Sequence, residues 1–388
     1  MMVIFVYIAS FCLLLGQLAY VDLGSGIRFY MVEHVLLLII MTGLFRLGIA
    51  PIKRLLRFKP VVFWFVWIIF GWLLSGISSG IASNLQSALY IVRLIVFVCA
   101  SVYLAQATLT TKMRAMIYLI PAVCMLQYMF LPDLRFLQQY GWDPHMYRAV
   151  GLIFDPPVVG SVLGILWTGL FMRFDHHGMS LGKVPTIIKL LLVAIFLSVI
   201  FLYSRSTYIS LLFVTSIYLV SKKRWTYLAV FIGLTLFAIR FAPLSIPTTM
   251  NLESSKLDRS STTISRMTEI REGVAAWQSS PLFGIGYGRV ADYKSFLNQY
   301  RTTTLDNHAK SAFHSFWVTQ LASTGIVGLA LLLSILFKIV QWRRELLYPI
   351  LWVSIIGVFD NVVFHPLVLL AFILLFVSKP SIAPNSKL

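Results

Sequence analysis

Apolar runs long enough to cross a lipid bilayer recur along the whole sequence, and they restrict the possible folds more than any other feature. A membrane-spanning helix needs about 20 mostly apolar residues, and 59% of this chain is hydrophobic while only 12% is charged. The runs begin near Met2, Met31, Val61, Leu85, Met113, Val158, Ile187, Thr207, Trp225, Phe313, Leu346 and Val362. The pattern predicts an all-α polytopic membrane protein with about twelve transmembrane helices. We expect residues 1–388 to form a single integral membrane domain.

The loops between these runs differ in charge, and the difference predicts their orientation. With the N-terminus in the cytoplasm, the short inner loops are basic, as in "RLGIAPIKRLLRFK", "TKMR" and "SKKRW", whereas short outer loops such as "SGIASN" contain almost no Lys or Arg. Basic residues hold loops on the cytoplasmic side, so the net charge of +18 requires no nucleic-acid partner. We expect both termini in the cytoplasm and a retained first helix rather than a signal peptide.

Arg205 stands near the middle of the apolar stretch "FLSVIFLYSRSTYISLLFVTSIYLV". A charge at bilayer depth costs roughly 3 kcal/mol, and arginine cannot be deprotonated in a protein. A break at "YSRST" would divide the stretch into two spans and place Arg205 at the outer mouth of the helix bundle. Arg205 is then either an ordinary charge in a tight turn or a functional one.

Residues 242–312 form the one sizeable polar segment of the sequence, and the predicted topology places this large loop on the outer side. Apolar residues recur at steps of three and four from Ile264 to Trp277, which predicts an amphipathic helix that lies at the membrane surface and covers a cavity. Residues 260–263 supply N-cap candidates, and Pro281 ends the helix. "GIGYG" lacks the strand of a dinucleotide-binding fingerprint and is interpreted as a flexible return to the membrane.

His314 stands where the next apolar run begins. A neutral imidazole in that place could accept a proton from a hydroxyl group, or it could be an interfacial histidine that donates to a backbone carbonyl. Cys12, Cys99 and Cys124 lie inside apolar runs and are interpreted as packing residues. The outer loops show no acidic cluster or His/Cys set with the spacing of metal ligands, so no metal site is predicted.

Three stretches, "YSRSTYISLL", "ISRMTEIREGVAAWQSSPLFGIGYG" and "FHSFWVTQLASTGIVGL", resemble the O-antigen ligase/polymerase superfamily, which includes Wzy-type polysaccharide polymerases and O-antigen ligases. The stretch "YRAVGLIFDPPVVGSVLG" is similar to the segment before the middle helices of that family. The resemblance covers about the C-terminal two thirds of the chain. The chain departs from the family pattern at Ser315, where the family usually has Asn, and at Ser323 and Thr324, where it usually has Glu before the glycine.

The resemblance implies a GT-C-like glycosyltransferase that acts on the outer face of the bacterial inner membrane. Its donor would be an oligosaccharide carried on undecaprenyl diphosphate or a similar polyprenyl diphosphate, and its acceptor would be a saccharide or the lipopolysaccharide core. The family uses neither a nucleotide sugar nor a metal ion, so no cofactor is expected. Membrane lipids are the other expected partners.

The predicted catalytic residues are His314, Arg205 and Arg266. A guanidinium is always charged and its fork of donors matches phosphate, so the two arginines are predicted to neutralise the departing diphosphate. His314 is predicted to deprotonate or orient the acceptor hydroxyl. The alternative for Arg266 is a solvated helix on which it pairs with Glu269 or Glu272.

The predicted substrate-binding residues are Arg271, Arg148, Arg93 and Asp360. Each also has a structural alternative. Arg271 could pair with an acidic residue on its own helix, Arg93 and Arg148 could join neighbouring helices, and Asp360 could cap one.

These features predict a polymerase of lipid-linked oligosaccharide repeat units that works without a metal ion. The first alternative is an O-antigen ligase, which would use the same donor and transfer it to the lipopolysaccharide core. The second is a flippase or other transporter of lipid-linked saccharides. Transporters usually carry intramembrane charges along a central path, whereas the charges here gather on one face beside one large loop, which favours an enzyme.

Overall fold

A computed structural model of the chain describes residues 2–22, 28–76, 81–106, 108–109, 116–140, 145–176, 185–241, 260–299, 312–377 and 379–380. These residues are mostly helical, as the apolar runs predicted, and they include two small two-stranded sheets. The loop "TKMR" and residues 242–259 and 300–311 of the large outer loop lie outside the described residues.

The helices account for almost all of the regular structure. They are α1 Met2–Leu15, α2 Met31–Leu47, α3 Ala50–Leu56, α4 Lys59–Gly76, α5 Ile81–Leu104, α6 Ile120–Phe130, α7 Pro156–His176, α8 Thr186–Phe201, α9 Arg205–Ser221, α10 Trp225–Phe241, α11 Ser260–Ser279, α12 Val290–Gln299, α13 Phe316–Trp342, α14 Leu347–Phe359 and α15 Pro366–Phe372. The strands are β1 Tyr20–Asp22, antiparallel to β2 Arg28–Tyr30, and β3 Thr108–Leu109, parallel to β4 Lys379–Pro380.

Each predicted apolar run overlaps a helix of the described residues, but the helices differ in length, and the start predicted near Met113 lies outside the described residues. Within the described residues, two helices, Asn84–Leu104 and Phe316–Trp342, are long and apolar enough to cross a membrane alone. A third candidate is α2 together with α3, which bend by 108° at their junction. Several shorter apolar helices, among them Met2–Leu18 and Thr186–Phe201, accompany them. The count of about twelve spans therefore remains a prediction.

Helix α7 lies in the centre of the main apolar core and packs against α8, α9 and α14. A Cβ atom added at Gly160 would overlap the side chain of Thr207, and one added at Gly164 would overlap the ring of Trp352. The indole Nε1 of Trp352 donates to the carbonyl of Gly160 at 3.0 Å. Small residues four apart allow helices to approach closely, so this contact fixes the start of α9, where Arg205 lies.

The predicted break at "YSRST" is confirmed, because α8 ends at Phe201 and α9 begins at Arg205. The helix predicted from Ile264 to Trp277 is present as α11, whereas its place at the outer membrane surface stays a prediction. It packs against α13, the helix that follows the loop. The loop therefore contacts the membrane helices through the packing of α11 against α13.

The segment 281–288, which contains "GIGYG", returns from α11 to a break in α13. Gly325 in α13 has φ 66° and Gly284 has φ 71°, which is the left-handed region that favours glycine. The N–H of Ile285 donates to the carbonyl of Ala322 at 2.8 Å. The return predicted from sequence is therefore held by hydrogen bonds to the broken helix.

Candidate active site

Asp360, the residue that follows α14, receives polar contacts from two other helices. Its Oδ1 lies 2.8 Å from Nη2 of Arg266 on α11, and its Oδ2 accepts a hydrogen bond of 2.9 Å from Ser206 on α9. The Asp360 side chain is only 8% exposed and that of Arg266 is 28% exposed. The ion pair therefore ties the helix of the outer loop to the membrane helices.

Arg205 begins α9 directly before Ser206, and its side chain is exposed. Its turn is ordered by short hydroxyl contacts, in which Thr207 donates to the Ser204 hydroxyl at 2.9 Å. Burial raises the pKa of the Asp360 carboxyl above its ordinary value, while the charges of Arg266, His314 and Arg205 act in the opposite direction. All three predicted catalytic residues therefore lie within electrostatic reach of one carboxylate.

His314 is held by Glu269, which lies on α11. One carboxylate oxygen of Glu269, Oε2, accepts the backbone N–H of His314 at 2.8 Å and also forms a hydrogen bond with Nδ1 of the imidazole. A carboxylate accepts but does not donate, so Nδ1 carries the proton, and in the neutral form of the ring Nε2 holds the free lone pair. The imidazole is 27% exposed, which leaves it open to a substrate.

The other oxygen of Glu269 is occupied by Lys294 on α12. The Lys294 ammonium lies 3.0 Å from Oε1 of Glu269, and both side chains are almost completely buried. Burial raises the pKa of Glu269, but the hydrogen bond and charge of His314 and the charge of Lys294 outweigh burial and hold that pKa below its ordinary value. Glu269 is therefore a carboxylate at neutral pH.

One face of α11 carries both Arg266, which pairs with Asp360, and Glu269, which contacts His314 and Lys294. Arg266 and Glu269 are three residues apart, and side chains at this spacing are neighbours about 5–6 Å apart at Cβ. The buried face continues through Gly273 and Ala276, whereas Ile264 and Met267 of the predicted apolar stripe are mostly exposed. Arg266 and Glu269 therefore turn toward the helix bundle, each with a partner of opposite charge, and do not form the solvated pair that was the alternative.

Ser315, where the family pattern has Asn, is the N-cap of α13. Its hydroxyl accepts from the N–H of Val318 at 3.4 Å and lies 3.3 Å from the carbonyl of Gly357, to which it donates. A serine is a good N-cap because its oxygen satisfies a free N–H of the first turn. The substitution therefore keeps the helix start directly after His314 in place.

Arg148 and Arg271 occupy different positions relative to this group. Arg148 is buried, and its neighbour Ala149 donates a backbone hydrogen bond of 3.0 Å to Phe201, so Arg148 lies beside the turn that leads to Arg205. Arg271 is exposed. It is two positions from Glu269, or roughly 200° around the helix, so its side chain points away from the buried face of α11.

Arg93 belongs to a second polar group, inside the helix bundle. Its Nε forms an ion pair with Glu33, and its guanidinium lies 5.6 Å from the ring centre of Tyr90. Glu33 also accepts the backbone N–H of Tyr30 at 3.0 Å, so the pair joins α5 to the start of α2. These contacts match the helix-pairing alternative for Arg93, and its predicted role in substrate binding remains a prediction.

Three residues of the site, Ser206, Glu269 and Lys294, were not among the sequence candidates. The sequence indicates Glu269 only as a partner of Arg266, because the two residues stand at helical spacing. Lys294 lies 25 positions from Glu269 along the chain, and no spacing rule connects residues on different helices. The only local signal was the pair of serines around Arg205, since hydroxyl groups beside a charge in an apolar stretch indicate a polar contact.

Residues 190–333 match the family model described as O-antigen ligase. The matched range contains Arg205, Arg266, Glu269, Lys294 and His314, whereas Asp360, Arg148 and Arg93 lie outside it. No curated protein matches the chain.

Proposed function

We propose that this chain, a member of the O-antigen ligase/polymerase superfamily and a multi-pass protein of the bacterial inner membrane, polymerises oligosaccharide repeat units carried on a polyprenyl diphosphate. The reaction would take place on the outer, periplasmic face, with both termini in the cytoplasm. The observation that carries the proposal is the arrangement of Arg205, Arg266 and His314 around the Asp360 carboxylate.

The two arginines would bind the diphosphate of the donor. Breaking the bond between sugar and diphosphate places negative charge on an oxygen, and fixed positive donors stabilise that charge most where water is partly excluded. Asp360 orients the guanidinium of Arg266, whose Nε is buried and has no hydrogen-bond partner among the described residues. A phosphate oxygen would satisfy this donor.

His314 would act on the acceptor sugar. Nε2 accepts the proton of the acceptor hydroxyl while the hydroxyl oxygen forms a bond to the anomeric carbon of the donor. The bond from that carbon to the diphosphate oxygen breaks, and its electron pair leaves with the diphosphate, so the anomeric configuration is inverted. The proton then passes from His314 to water. The arginines supply the positive charge that the leaving group needs, and the proposed step involves no metal ion.

A second candidate is transfer of a finished polymer to the lipopolysaccharide core. The matching family model is described as O-antigen ligase, and the proposed donor chemistry is the same. The difference lies in the acceptor alone.

The test uses the purified full-length protein with lipid-linked repeat units, in the presence and absence of lipopolysaccharide core. We expect the saccharide to lengthen without the core, and we expect His314→Ala and Arg266→Ala to slow this lengthening strongly. The matched controls are His34→Ala and Arg135→Ala, which change an exposed histidine and an exposed arginine. Transfer only when the core is present would establish the ligase instead. Full activity in His314→Ala would overturn the proposed site.

A further inference from the structure

Lys294 makes buried polar contacts beside His314 with two described residues. Its ammonium donates to Oε1 of Glu269 at 3.0 Å and to the carbonyl of Ala312, two residues before His314, at 2.7 Å. The side chain is 4% exposed, as is that of Glu269. Lys294 therefore restrains both the carboxylate that holds the imidazole and the backbone that leads to it.

A buried ion pair of this kind is unfavourable unless other contacts compensate it, because both charges lose their hydration. An apolar pair of similar volume would join α11 and α12 at least as well. Among the described residues, the two oxygens of this carboxylate have different partners: Oε1 contacts Lys294, and Oε2 contacts His314. Contacts arranged in this way hold the carboxylate in place and orient the imidazole.

We infer that Lys294 and Glu269 form a positioning pair that fixes the tautomer of His314 and keeps its ring able to accept a proton. Glu269 takes the proton-bearing Nδ1, so Nε2 faces the acceptor. The Lys294 ammonium occupies the other oxygen of that carboxylate. The inference rests on the proposed role of His314 as base.

Other charges lie near this pair, and Arg205, Arg266 and His314 all act on the Asp360 carboxyl. From α11 and α12 come Arg266, Glu269 and Lys294, from the start of α9 comes Arg205, and from the turn after α14 comes Asp360. Lys294 differs from the two arginines because it is buried behind Glu269. We therefore expect its removal to change proton transfer and to leave binding of the donor diphosphate almost unchanged.

The kinetic test compares Lys294→Met, Lys294→Arg and Glu269→Gln in the full-length protein with lipid-linked repeat units. We expect Lys294→Met to lower kcat about 10-fold with KM within about twofold. The acid limb of its pH–rate profile should move to higher pH, because one positive charge beside the imidazole is gone. Lys294→Arg keeps the charge and should recover most of the rate. A purely structural ion pair predicts a lower Tm with an unchanged pH profile, and that result would overturn the inference.

A second readout needs no turnover. In protein labelled with ¹⁵N-histidine, the His314 signals are identified by their loss in His314→Ala. We expect a proton on Nδ1 in the wild type and a mixture of tautomers in Glu269→Gln and Lys294→Met. An unchanged tautomer in both variants would refute the positioning pair even if His314 proves essential. Conversely, full activity in His314→Ala would refute the proposed function while the tautomer result stands.

Discussion

At the scale of single residues, the contact between Arg266 and Asp360 joins α11 to the turn after α14 at the proposed diphosphate site. We expect Arg266→Ala to lower kcat about 100-fold, because it removes a charged donor to the leaving group. Asp360→Asn should cost about 10-fold, because Arg266 stays but loses the anchor that orients it. If the carboxylate acts through the guanidinium, the double variant will be no slower than Arg266→Ala alone.

These rates are measured with purified protein and lipid-linked repeat units, with Arg135→Ala as the control. Arg135 forms an exposed ion pair with Asp133, which contributes little, so its removal should leave kcat unchanged. Independent effects that multiply to about 1,000-fold in the double variant would show that Asp360 has a separate role.

Glu269 gives the site a dependence on pH whose sign follows from its environment. Its pKa is held below the ordinary value of 4.5. The stabilisation from its ionised form is therefore complete above that value and is lost as the pH falls through the lower pKa of the folded state. Glu269→Gln leaves the Lys294 ammonium buried without a carboxylate, which typically costs about 3 kcal/mol. We expect the wild type to melt several degrees above Glu269→Gln at neutral pH.

The same pair of proteins measured at progressively lower pH provides the check, because the wild-type carboxylate becomes protonated as the pH falls through its lowered pKa. The difference in Tm should shrink toward zero as the pH falls. A difference that stays constant from neutral to acid pH would mean that the charge of Glu269 does not stabilise the fold.

At the scale of elements, the break in α13 lets the helix bind the segment that returns from α11, because backbone hydrogen bonds join the two at Ala322, Ser323 and Ile326. Gly325 has φ 66°, and a Cβ added there would overlap the carbonyl of Leu282. Gly325→Ala should therefore cost about 1–2 kcal/mol for the left-handed backbone alone, with further cost from the overlap. We expect a lower Tm and a lower yield of folded protein from membranes.

Gly233 supplies the matched control for that substitution. It lies exposed inside α10, and a Cβ added there would meet no atom within 4 Å. Alanine is a better helix former than glycine by about 1 kcal/mol, so Gly233→Ala should keep or raise the Tm. Equal effects of the two substitutions would contradict the structural role of the break.

The elements were predictable where a local pattern specifies them. Apolar runs locate the helices, the helical spacing from Ile264 to Trp277 locates α11, and a charge between serines marks the break before Arg205. The partners within the site were not predictable. Spacing suggested that Arg266 pairs with Glu269, but each pairs instead with a residue on another segment, and such tertiary contacts depend on how helices pack rather than on their period.

At the scale of the whole molecule, the proposed reaction requires the cluster of α9, α11 and α13 to face away from the cytoplasm. The basic short loops predict that orientation. Its test needs a cysteine-free background, in which Cys12, Cys99 and Cys124 are replaced by alanine, and Tm shows whether that protein is folded. Single cysteines are then placed at Gln278, an exposed residue of α11, and at Lys223, an exposed residue between α9 and α10.

We expect a membrane-impermeant maleimide to label Gln278→Cys in intact spheroplasts and Lys223→Cys only after lysis. The two positions lie on opposite sides in the predicted topology, so each serves as the control for the other. The reverse pattern would place Arg205, Arg266 and His314 at the cytoplasmic face. The arginines would then lie on the same side as the basic loops, where positive charge is common for reasons of topology alone. The gathering of charges on the outer face would then no longer favour a glycosyltransferase over a transporter.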